Sequence, residues 1–556
     1  MSNDLTSIIR KHALKNALDF GKANIGSVVG KVIAEMPTCK SDMKTTMQNI
    51  NEIVNEVNKM TKDKIESELK NYSFIEKPKE EKKGFDIQNA EMGEVITRFP
   101  PEPSGYPHIG HAKAAFLDYE IAKQFNGKFI LRFDDTNPEK EEQKFVEAIK
   151  EGLVWLGIKW DAETYTSDNI ESIYAHCSGL IARGYAYICT CKQEQISELR
   201  TSMKECSCRN KSINEQEQTW DTMIQGKVKE GQAILRFKGD MKSLNTVMRD
   251  PTLARIITKK HYRQGTKYKV WPSYDLAVVV MDALESITHP ARTKEYELRD
   301  ELYYALCVAL GFKRPNLIGF SRLEIKNAPI SKRLLKPLVE EGKVDGWDDP
   351  RLPTLAGLKR RGVLPEAIRT FVLSFGLSKV ESEPTWERLL VENKKLLDPV
   401  AKHYFFVPDP IELSTEHKNT VSYRIKGEER KAKINGKIYI SKSDFKNLTK
   451  DEVFALKDLV FVKFDGKKLI EVKQNEIPEK KFQWVSASDS LKCEVWIPHD
   501  LLENGEYNKN SLEIAKGYCE SACANIKEGE MIQFERFGFC RLDKKTKGKL
   551  YFVYSC

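Results

Sequence analysis

The sequence predicts an α/β protein built on a parallel strand–helix–strand crossover, preceded by a helical segment and followed by a β-rich part. The main evidence is the β-branched run Val95–Phe99, which a Pro/Gly-rich turn (100–107) joins to a helical stripe of apolar residues. This stripe stops at Asn126-Gly127, and the compact strand Phe129–Phe133 follows. A strand–helix–strand order implies a right-handed parallel crossover with the ligand site at the carboxyl ends of the strands.

Length and composition describe a multidomain protein without a membrane segment. The 556 residues correspond to roughly three to four domains of ordinary size. No apolar run approaches the roughly 20 residues that span a bilayer, and charged residues interrupt the N-terminus too early for a secretory signal. We therefore expect a cytoplasmic protein. The net charge of +9 permits a nucleic-acid partner but fits a solvated surface equally well.

The first 70 residues are predicted to be helical, because apolar residues between Ile50 and Met60 recur at helical spacing. The Lys/Glu-rich run 76–83, followed by Gly84, has the composition of a linker and marks a domain boundary.

The remaining chain divides by pattern into further segments. Leu276–Met281 is predicted as a strand, residues 192–255 as an insertion, and residues 336–395 as helical. Beyond about residue 400, short strands broken by Gly, Asp and Asn favour β-barrels or a sandwich. The strands predicted there are Lys437–Ile440, Leu459–Phe464, Phe482–Val485, Cys493–Ile497, Gln533–Phe539 and Leu550–Tyr554.

His108 and His111 stand where the central helix is predicted to begin, with Gly110 between them. A helix N-terminus presents free N–H groups to whatever lies above the sheet. Two imidazoles at that end suit the phosphates and base of a nucleotide. The acidic loop that begins with Asp134 and Asp135 follows the second strand and faces the same crevice. Because neighbouring residues at a strand end point in opposite directions, only one of the two side chains is expected to face the site.

Four cysteines form a close pair of C-x-C motifs: Cys189, Cys191, Cys206 and Cys208. Four thiolates suit tetrahedral zinc, which would hold a small insertion together. The alternative is a set of free cytosolic thiols. The other cysteines are scattered through the chain, so disulfides are not expected.

Five stretches of the chain, taken in order, resemble motifs of one enzyme family. They are Arg98–Glu141, Pro329–Arg333, Gly346–Gly362, Leu397–Phe405 and Gly529–Asp543. The first resembles the catalytic domain of class I glutamyl- and glutaminyl-tRNA synthetases, and the second resembles their KMSKS loop. The β-rich end is similar to the archaeal and eukaryotic branch, and the first 70 residues resemble the small helical domain of archaeal-type members.

The resemblance implies a Rossmann-type class I synthetase catalytic domain with further domains around it. The expected domains are a helical N-terminal domain and linker (1–92), the first half of the catalytic domain (93–191), an inserted acceptor-end-binding domain (192–255), the second catalytic half (256–335), a helical stem-contact domain (336–395) and β-barrels that bind the anticodon (396–556).

The resemblance implies that glutamate reacts with ATP, used with Mg²⁺, to form glutamyl-adenylate, and that the glutamyl group is then transferred to tRNA(Glu). The substrate carboxylate is already a nucleophile, so positioning and neutralising phosphate charge suffice. By resemblance, His108, His111 and Lys332 are catalytic, and ATP is bound by His108, Gly110, His111, Ser331, Lys332 and Arg333. Pro329 and Ile330 replace the usual first lysine and methionine, so positive charge in that loop rests on Lys332 and Arg333.

Arg292 decides the amino acid in this interpretation, because glutamine enzymes carry a small neutral residue there. A guanidinium can clamp a carboxylate but would leave an amide donor facing a donor. The alternative for Arg292 is a structural ion pair with Glu295. Arg98 resembles the second substrate-binding arginine and Tyr274 the pocket tyrosine, whereas Asp134 is expected to hold the substrate ammonium or the terminal nucleotide of the tRNA.

Other implications of the resemblance are less specific. Some related glutamate enzymes carry zinc near the position of the cysteine group. The basic run Lys359-Arg360-Arg361 fits either phosphate contact with tRNA or a solvated face. The N-terminal helices could dock a protein partner.

Three other functions compete with a glutamate enzyme. Arg292 disfavours a glutamine enzyme. A truncated paralogue that modifies a tRNA base would lack the C-terminal part, and a non-enzymatic scaffold would not need the two histidines and Lys332.

Overall fold

Two units make up the chain in this computed structural model, Met1–Gly84 and Phe85–Cys556. The structure describes residues 2–20, 22–69, 71–72, 84–473 and 477–556; the predicted linker at 76–83 lies outside them. Within these ranges, no helix combines the length and the apolarity needed to cross a membrane.

The first unit is helical, as predicted. Its helices are α1 (Ser2–Phe20), α2 (Ile25–Glu35), α3 (Met43–Val57) and α4 (Lys62–Leu69). Helix α3 buries Ile50, Ile53, Val54 and Val57 against the other helices. The side chain of Asp42 accepts a hydrogen bond from the Thr45 N–H and so caps the first turn of α3.

The second unit begins with the predicted parallel crossover. Its elements are β1 (Ile96–Phe99), α5 (Ile109–Gln124), β2 (Lys128–Phe133), α6 (Gln143–Trp155), β3 (Ala162–Tyr165) and α7 (Ile170–Ala182). Strand β2 pairs in parallel with both β1 and β3. The stripe of apolar residues on α5 packs against this sheet, and the strands end where the acidic and proline-rich loops begin.

The inserted part is an antiparallel sheet that extends beyond the expected segment on both sides. Its elements are β4 (Ala186–Cys189), α8 (Gln193–Thr201), α9 (Ile213–Ile224), β5 (Ile234–Phe237), β6 (Thr252–Ile256) and β7 (Val270–Pro272). The strand order is β4-β5-β6-β7. The four cysteines lie at its edge: Cys189 is the last residue of β4, and Cys191, Cys206 and Cys208 lie between β4 and α9.

The second α/β piece corrects one prediction: Leu276–Met281 is part of a helix. The elements are α10 (Tyr274–Leu284), β8 (Ala291–Thr293), α11 (Asp300–Leu310), β9 (Ile318–Phe320) and α12 (Lys332–Glu340). Helix α10 is buried on nearly every side, and Val278, Val279 and Val280 are each at most 1% exposed. A short apolar run gives no periodicity that separates a buried strand from a buried helix.

The parallel strands of the two α/β pieces form two sheets whose strands β1 and β8 approach each other. The N–H groups of Thr288 and His289 donate to the Ile96 carbonyl at 3.0 and 3.2 Å, which places β8 beside β1, and β9 pairs in parallel with β8. β1, β2 and β3 thus form one parallel sheet and β8 and β9 a separate two-stranded one, and the segment before β8 is bonded to β1. In parallel α/β sheets, ligands bind at the carboxyl ends of the strands.

A helical part and a β-rich part complete the second unit. The helices are α13 (Leu355–Arg361), α14 (Pro365–Leu373) and α15 (Trp386–Leu397). The later elements are β10 (Lys402–Tyr404), β11 (Phe406–Pro408), β12 (Pro410–Thr415), β13 (Thr420–Ile425), β14 (Glu428–Lys433), β15 (Lys437–Ser441), α16 (Lys442–Lys446), β16 (Val453–Leu456), β17 (Val460–Phe464), β18 (Lys468–Glu471), β19 (Lys481–Phe482), β20 (Val485–Ser486), β21 (Ser490–Pro498), β22 (Leu502–Glu503), β23 (Glu506–Tyr507), β24 (Leu512–Glu520), β25 (Met531–Phe534), β26 (Gly538–Thr546) and β27 (Lys549–Tyr554).

The β-rich part contains two seven-stranded sheets, each with its own buried cluster. Four of the six predicted strands correspond to β15, β17, β21 and β27. The predicted strand Gln533–Phe539 is wrong as a single element, because β25 ends at Phe534 and Arg536 adopts a positive φ of 59° in the turn before β26. The predicted Phe482–Val485 is likewise divided between β19 and β20.

We predict that Gly127→Ala destabilises the second unit, because a Cβ at this position would lie 1.9 Å from the Val95 carbonyl oxygen. The backbone between α5 and β2 would have to move, at a cost of about 2 kcal/mol or more. The matched control is Gly179→Ala within α7, where the nearest atom, 3.2 Å away, is the flexible end of Arg183. Calorimetry should show a lower Tm for Gly127→Ala and little change for the control; equal Tm values would contradict the prediction.

Candidate active site

The two histidines cap helix α5 with their own side chains. His108 Nδ1 accepts from the Gly110 N–H at 3.1 Å, and His111 Nδ1 accepts from the His108 N–H at 3.2 Å. Two donors that the helix leaves free are satisfied in this way. Because both Nδ1 atoms accept, Nε2–H is the donor that each imidazole keeps for another group.

Both imidazoles are neutral near pH 7. Burial lowers the pKa of His111 to about 4, and burial lowers the pKa of His108 well below its ordinary value, with Arg322 adding to both effects. The rings pack closely, with centroids 4.0 Å apart. Gly110 makes this arrangement possible, since a Cβ there would lie 2.9 Å from His108 Cε1 and 3.3 Å from the Leu323 carbonyl oxygen.

The segment that resembles a later family landmark fixes the start of α5. Ile109 N–H donates to the Pro353 carbonyl, and Leu355 N–H donates to the Pro107 carbonyl, each at 2.9 Å. The helical part therefore clamps the backbone on both sides of His108.

Lys332 reaches the proline-rich loop that precedes the histidines. Its Nζ donates to the Ser104 carbonyl at 2.6 Å and lies 4.7 Å from the centre of the Phe145 ring. Ser331 is the N-cap residue of α12, and Arg333 is exposed on its first turn. In the described part of the chain, no hydrogen bond joins Lys332 to either histidine.

A buried carboxylate, Asp282 on α10, joins the two arginines of the neighbouring strands. Its Oδ1 accepts from Arg98 Nε at 3.1 Å and from Arg132 Nη2 at 2.7 Å, while its Oδ2 accepts from the Tyr303 hydroxyl at 2.8 Å. Burial opposes the charged form, but the two arginines keep the pKa of Asp282 below its ordinary value. Asp282 is therefore the anion that holds both guanidinium groups.

Arg132 extends this network to Asp134. Arg132 Nε donates to Asp134 Oδ1 at 3.1 Å, and Arg132 Nη1 donates to Glu285 at 2.8 Å. Asp134 Oδ1 also accepts from the Thr166 hydroxyl at 3.0 Å. The orientation of Asp134 is thus set by groups that lie behind it.

Asp134 and Asp135 diverge, as the strand geometry predicts. Asp135 is fully buried and accepts from the Ser167 N–H, the Ser167 hydroxyl and the Tyr262 hydroxyl, each at 2.8 Å. Asp134, in contrast, lines a cavity of about 450 Å³ together with Tyr274, Tyr296 and Arg299.

Three residues that line this cavity, Asp134, Glu141 and Ser273, each have a buried polar atom (Oδ2, Oε2 and Oγ) without a hydrogen-bond partner among the described residues. Arg98 Nη2 and Arg292 Nε, which do not belong to this lining, are also buried and without a partner there. Burial raises the pKa of Tyr274, and the charges of Arg292, Arg98 and Asp134 each influence it, so these three residues carry the unpartnered atoms whose charges act on Tyr274. The Arg292 guanidinium lies 5.8, 5.3 and 5.3 Å from the ring centres of Tyr274, Tyr296 and Tyr303. Buried polar groups without partners are rare in proteins and mark a place for a ligand.

The alternative pairing of Arg292 with Glu295 is wrong. Arg292 Nη1 donates to Asp300 at 2.9 Å, whereas Glu295 pairs with Arg322 at 3.0 Å. The Asp300 side chain is 34% exposed. It accepts from Nη1 of Arg292 only, so Nε of Arg292 has no partner among the described residues.

Four charged residues of the site are not predicted from the sequence. They are Arg132, Asp282, Arg299 and Arg322. Arg132 lies near the carboxyl end of β2, and Arg322 lies just after β9. A charged residue at the end of a predicted strand is a signal that could have identified both as candidate site residues. Asp282 directly follows the apolar run Leu276–Met281, and predicting that run as a strand gives no reason to place this carboxylate beside Arg98 and Arg132.

The four cysteines of the inserted part come together. Their sulfur atoms all lie within 4.8 Å of one another, with Cys189 and Cys206 3.8 Å apart and Cys191 and Cys208 3.8 Å apart. A tetrahedral zinc ion with Zn–S bonds of about 2.3 Å requires sulfur atoms about 3.8 Å apart. The four thiols therefore fit zinc.

Comparison with known families agrees with this architecture. The profile for the catalytic domain of class I tRNA synthetases (E and Q) matches residues 94–399. Two profiles for the anticodon-binding domain of the same synthetases match residues 401–483 and 481–543. The chain belongs to the class I tRNA synthetases for glutamate and glutamine.

Curated relatives extend over the whole chain and share one name. The glutamate–tRNA ligase of Nitrosopumilus maritimus is 42% identical and covers 98% of this chain and 99% of its own. Those of Cenarchaeum symbiosum and Pyrococcus furiosus are 39% and 37% identical, covering 98% and 99% of this chain and 98% and 100% of their own. A crystal structure of a glutamate tRNA ligase from Elizabethkingia meningosepticum, in complex with its amino acid, is 21% identical, with a TM-score of 0.41 over 55% of this chain and 70% of that chain.

We predict that Asp282→Asn lowers kcat/KM for the amino acid about tenfold to a hundredfold, because Arg98 and Arg132 lose the anion between them. The KM for ATP should change little. Tyr303→Phe is the matched control, since it removes one hydroxyl from Asp282 and leaves both arginine contacts. Unchanged amino-acid kinetics in a folded Asp282→Asn variant would contradict the positioning role.

Proposed function

We propose that the protein activates L-glutamate with ATP to glutamyl-adenylate and transfers the glutamyl group to the 3′-terminal ribose of tRNA(Glu), releasing AMP and pyrophosphate. The observation that carries the proposal is the set of three unpartnered atoms around Tyr274: one carboxylate oxygen and two guanidinium nitrogens. One anion and two cations complement a ligand with one ammonium and two carboxylates, which is the charge pattern of glutamate.

Each charge of glutamate finds a counterpart in this set. Asp134 Oδ2 is free to accept from the α-ammonium, because Arg132 and Thr166 occupy Oδ1. Arg98 and Arg292 each have a free nitrogen for a carboxylate. We assign the side-chain carboxylate to Arg292, since its aromatic surroundings suit the apolar stem of the substrate.

The same geometry disfavours glutamine. An amide in place of the side-chain carboxylate would turn an N–H₂ group toward a guanidinium that can only donate. A buried donor left without an acceptor costs on the order of 1–3 kcal/mol, enough for about tenfold to a hundredfold discrimination.

ATP would bind at the N-terminus of α5 with its Mg²⁺ ion. The Nε2–H groups of His108 and His111 are donors without a positive charge, so they can orient phosphate oxygens while the cations supply neutralisation. Lys332 and Arg333 provide that charge from α12, and Arg322 adds to it from the end of β9. For Lys332 to reach a phosphate, it must leave the Ser104 carbonyl, which fits a loop that closes on ATP.

The chemical step then needs only alignment. The carboxylate of glutamate attacks the α-phosphorus, the bond to pyrophosphate breaks, and the developing charge is held by the histidine N–H groups and the basic residues. No side chain has to form a covalent bond with the substrate.

We assign the remaining segments to tRNA. The segment 192–255 of the inserted part would bind the acceptor end, residues 336–395 would contact the stem, and the β-rich part (396–556) would read the anticodon. The N-terminal part (1–92) is proposed as a docking module for a protein partner. Zinc at the four cysteines would serve to hold the insertion in shape, without a part in the reaction.

We expect Arg292→Cys to reduce tRNA-dependent glutamate–ATP–pyrophosphate exchange by about a hundredfold or more, because a charge-assisted contact to the side-chain carboxylate is removed. ATP binding should remain measurable. Arg314→Gln, which removes an exposed arginine of the same part of the chain, is the control and should behave as the unchanged protein. If Arg292→Cys keeps its glutamate kinetics, the assignment of the pocket is wrong.

Purified protein should contain close to one zinc ion per chain, measured by elemental analysis. Cys206→Ser should lose the metal, because three thiolates remain where four are needed. Cys39→Ser, in the first unit, should retain it. A fully folded sample without metal would exclude the zinc site.

A further inference from the structure

Arg361, the last residue of α13, is buried without a partner. It is 4% exposed, and among the described residues no hydrogen bond or ion pair reaches its guanidinium. The group lies 4.8 Å from the centre of the Trp386 ring, and burial lowers the pKa of Arg361 to about 10. The neighbouring Arg360 is the opposite case, since Asp543 and Asp345 accept from it at 3.0 and 2.9 Å.

Trp386 presents a second unsatisfied donor beside this guanidinium. The side chain is 5% exposed, and no described residue provides an acceptor for its Nε1–H. Arg361 and Trp386 line the same cavity of about 530 Å³, together with Asn327, Asn508 and Asn510. A buried hydrogen-bond donor without an acceptor costs free energy. Two such donors next to each other fit a ligand group that only accepts hydrogen bonds.

The carboxylates near Arg361 do not fill this role. Cys556, Tyr554, Asp500 and Glu387 raise the pKa of Arg361 through their charge, but burial outweighs them. A third carboxylate, Glu503, also lines the cavity, and in the described structure none of these carboxylates forms an ion pair with Arg361. Asp500 Oδ2 instead accepts from the Asn327 side-chain amide at 2.8 Å. Glu387 is exposed at the rim.

We propose that Arg361 and Trp386 form a binding site for a small oxyanion, such as phosphate or a carboxylate, separate from the adenylation site. The planar guanidinium can donate two parallel hydrogen bonds to such a group, and the indole N–H adds a third. The oxyanion is either free in solution or a backbone phosphate of tRNA. This site is independent of the proposed assignment of Arg292 and the histidines.

The location gives the site access to the ATP-binding segment. Asn327 precedes the Ser331-Lys332 loop, and its carbonyl accepts from the Leu502 N–H at 3.1 Å. The cavity is therefore lined on one side by the segment just before that loop and on another side by the β-rich part. An anion bound between them would tie the two together.

The test follows the Trp386 indole N–H by NMR in ¹⁵N-tryptophan-labelled protein, with Trp386→Phe used to identify its resonance. Inorganic phosphate and acetate are titrated at constant ionic strength, and a tRNA transcript is titrated in phosphate-free buffer. In the unchanged protein we expect a saturable shift of this resonance when the anion is added. The affinity of Arg361→Lys for the anion should be at least tenfold weaker, and Arg361→Met should show no shift. The other seven of the eight tryptophans report whether each variant is folded.

Arg388→Gln is the matched control, because its guanidinium also lies over an aromatic ring, Phe375, but is exposed. It should titrate like the unchanged protein. A shift with phosphate or acetate identifies a free anion as the ligand; a shift with tRNA alone that Arg361→Met abolishes identifies a backbone phosphate. The proposal is overturned if none of the three probes moves the Trp386 resonance, or if Arg361→Lys binds as tightly as the unchanged protein.

Discussion

The buried carboxylate of Asp282 between Arg98 and Arg132 is the interaction on which the candidate site depends. Two guanidinium groups inside a protein require an anion, and without it their mutual repulsion and desolvation would be uncompensated. Asp282 holds Arg98 at the end of β1 and Arg132 on β2, and Arg132 in turn orients Asp134. A carboxylate on α10 thus fixes charged groups on both central strands.

The same principle recurs throughout the site: each functional side chain uses most of its hydrogen-bonding atoms to hold its position and keeps one for a ligand. His108 and His111 use Nδ1 to cap α5, and Asp134 uses Oδ1 on Arg132 and Thr166. What remains free is Nε2–H on each ring and Oδ2 on Asp134. Groups fixed in this way need little reorganisation when substrate arrives, which is the source of electrostatic stabilisation in enzymes.

The sequence predicts the parts of this arrangement that rest on local patterns. The crossover from β1 to β2, the start of a helix at the histidines and the divergence of Asp134 and Asp135 follow from residue order and strand geometry, whereas the capping of that helix by both imidazoles is seen only in the structure. Asp282 could not be foreseen, because its role depends on α10 lying behind two strands far away in the chain. Arg360 and Arg361 make the same point: adjacent residues of one basic run end in an ion pair and in an unpaired buried position, which only packing decides.

If the unpartnered atoms of Arg98, Asp134 and Arg292 receive the charges of glutamate, a crystal structure with a non-hydrolysable glutamyl-adenylate analogue will show these contacts. We expect the α-ammonium on Asp134 Oδ2 and the side-chain carboxylate on Arg292, with Asp282 still between Arg98 and Arg132. An analogue bound with its side chain away from Arg292, or with its ammonium on another acceptor, would contradict this assignment.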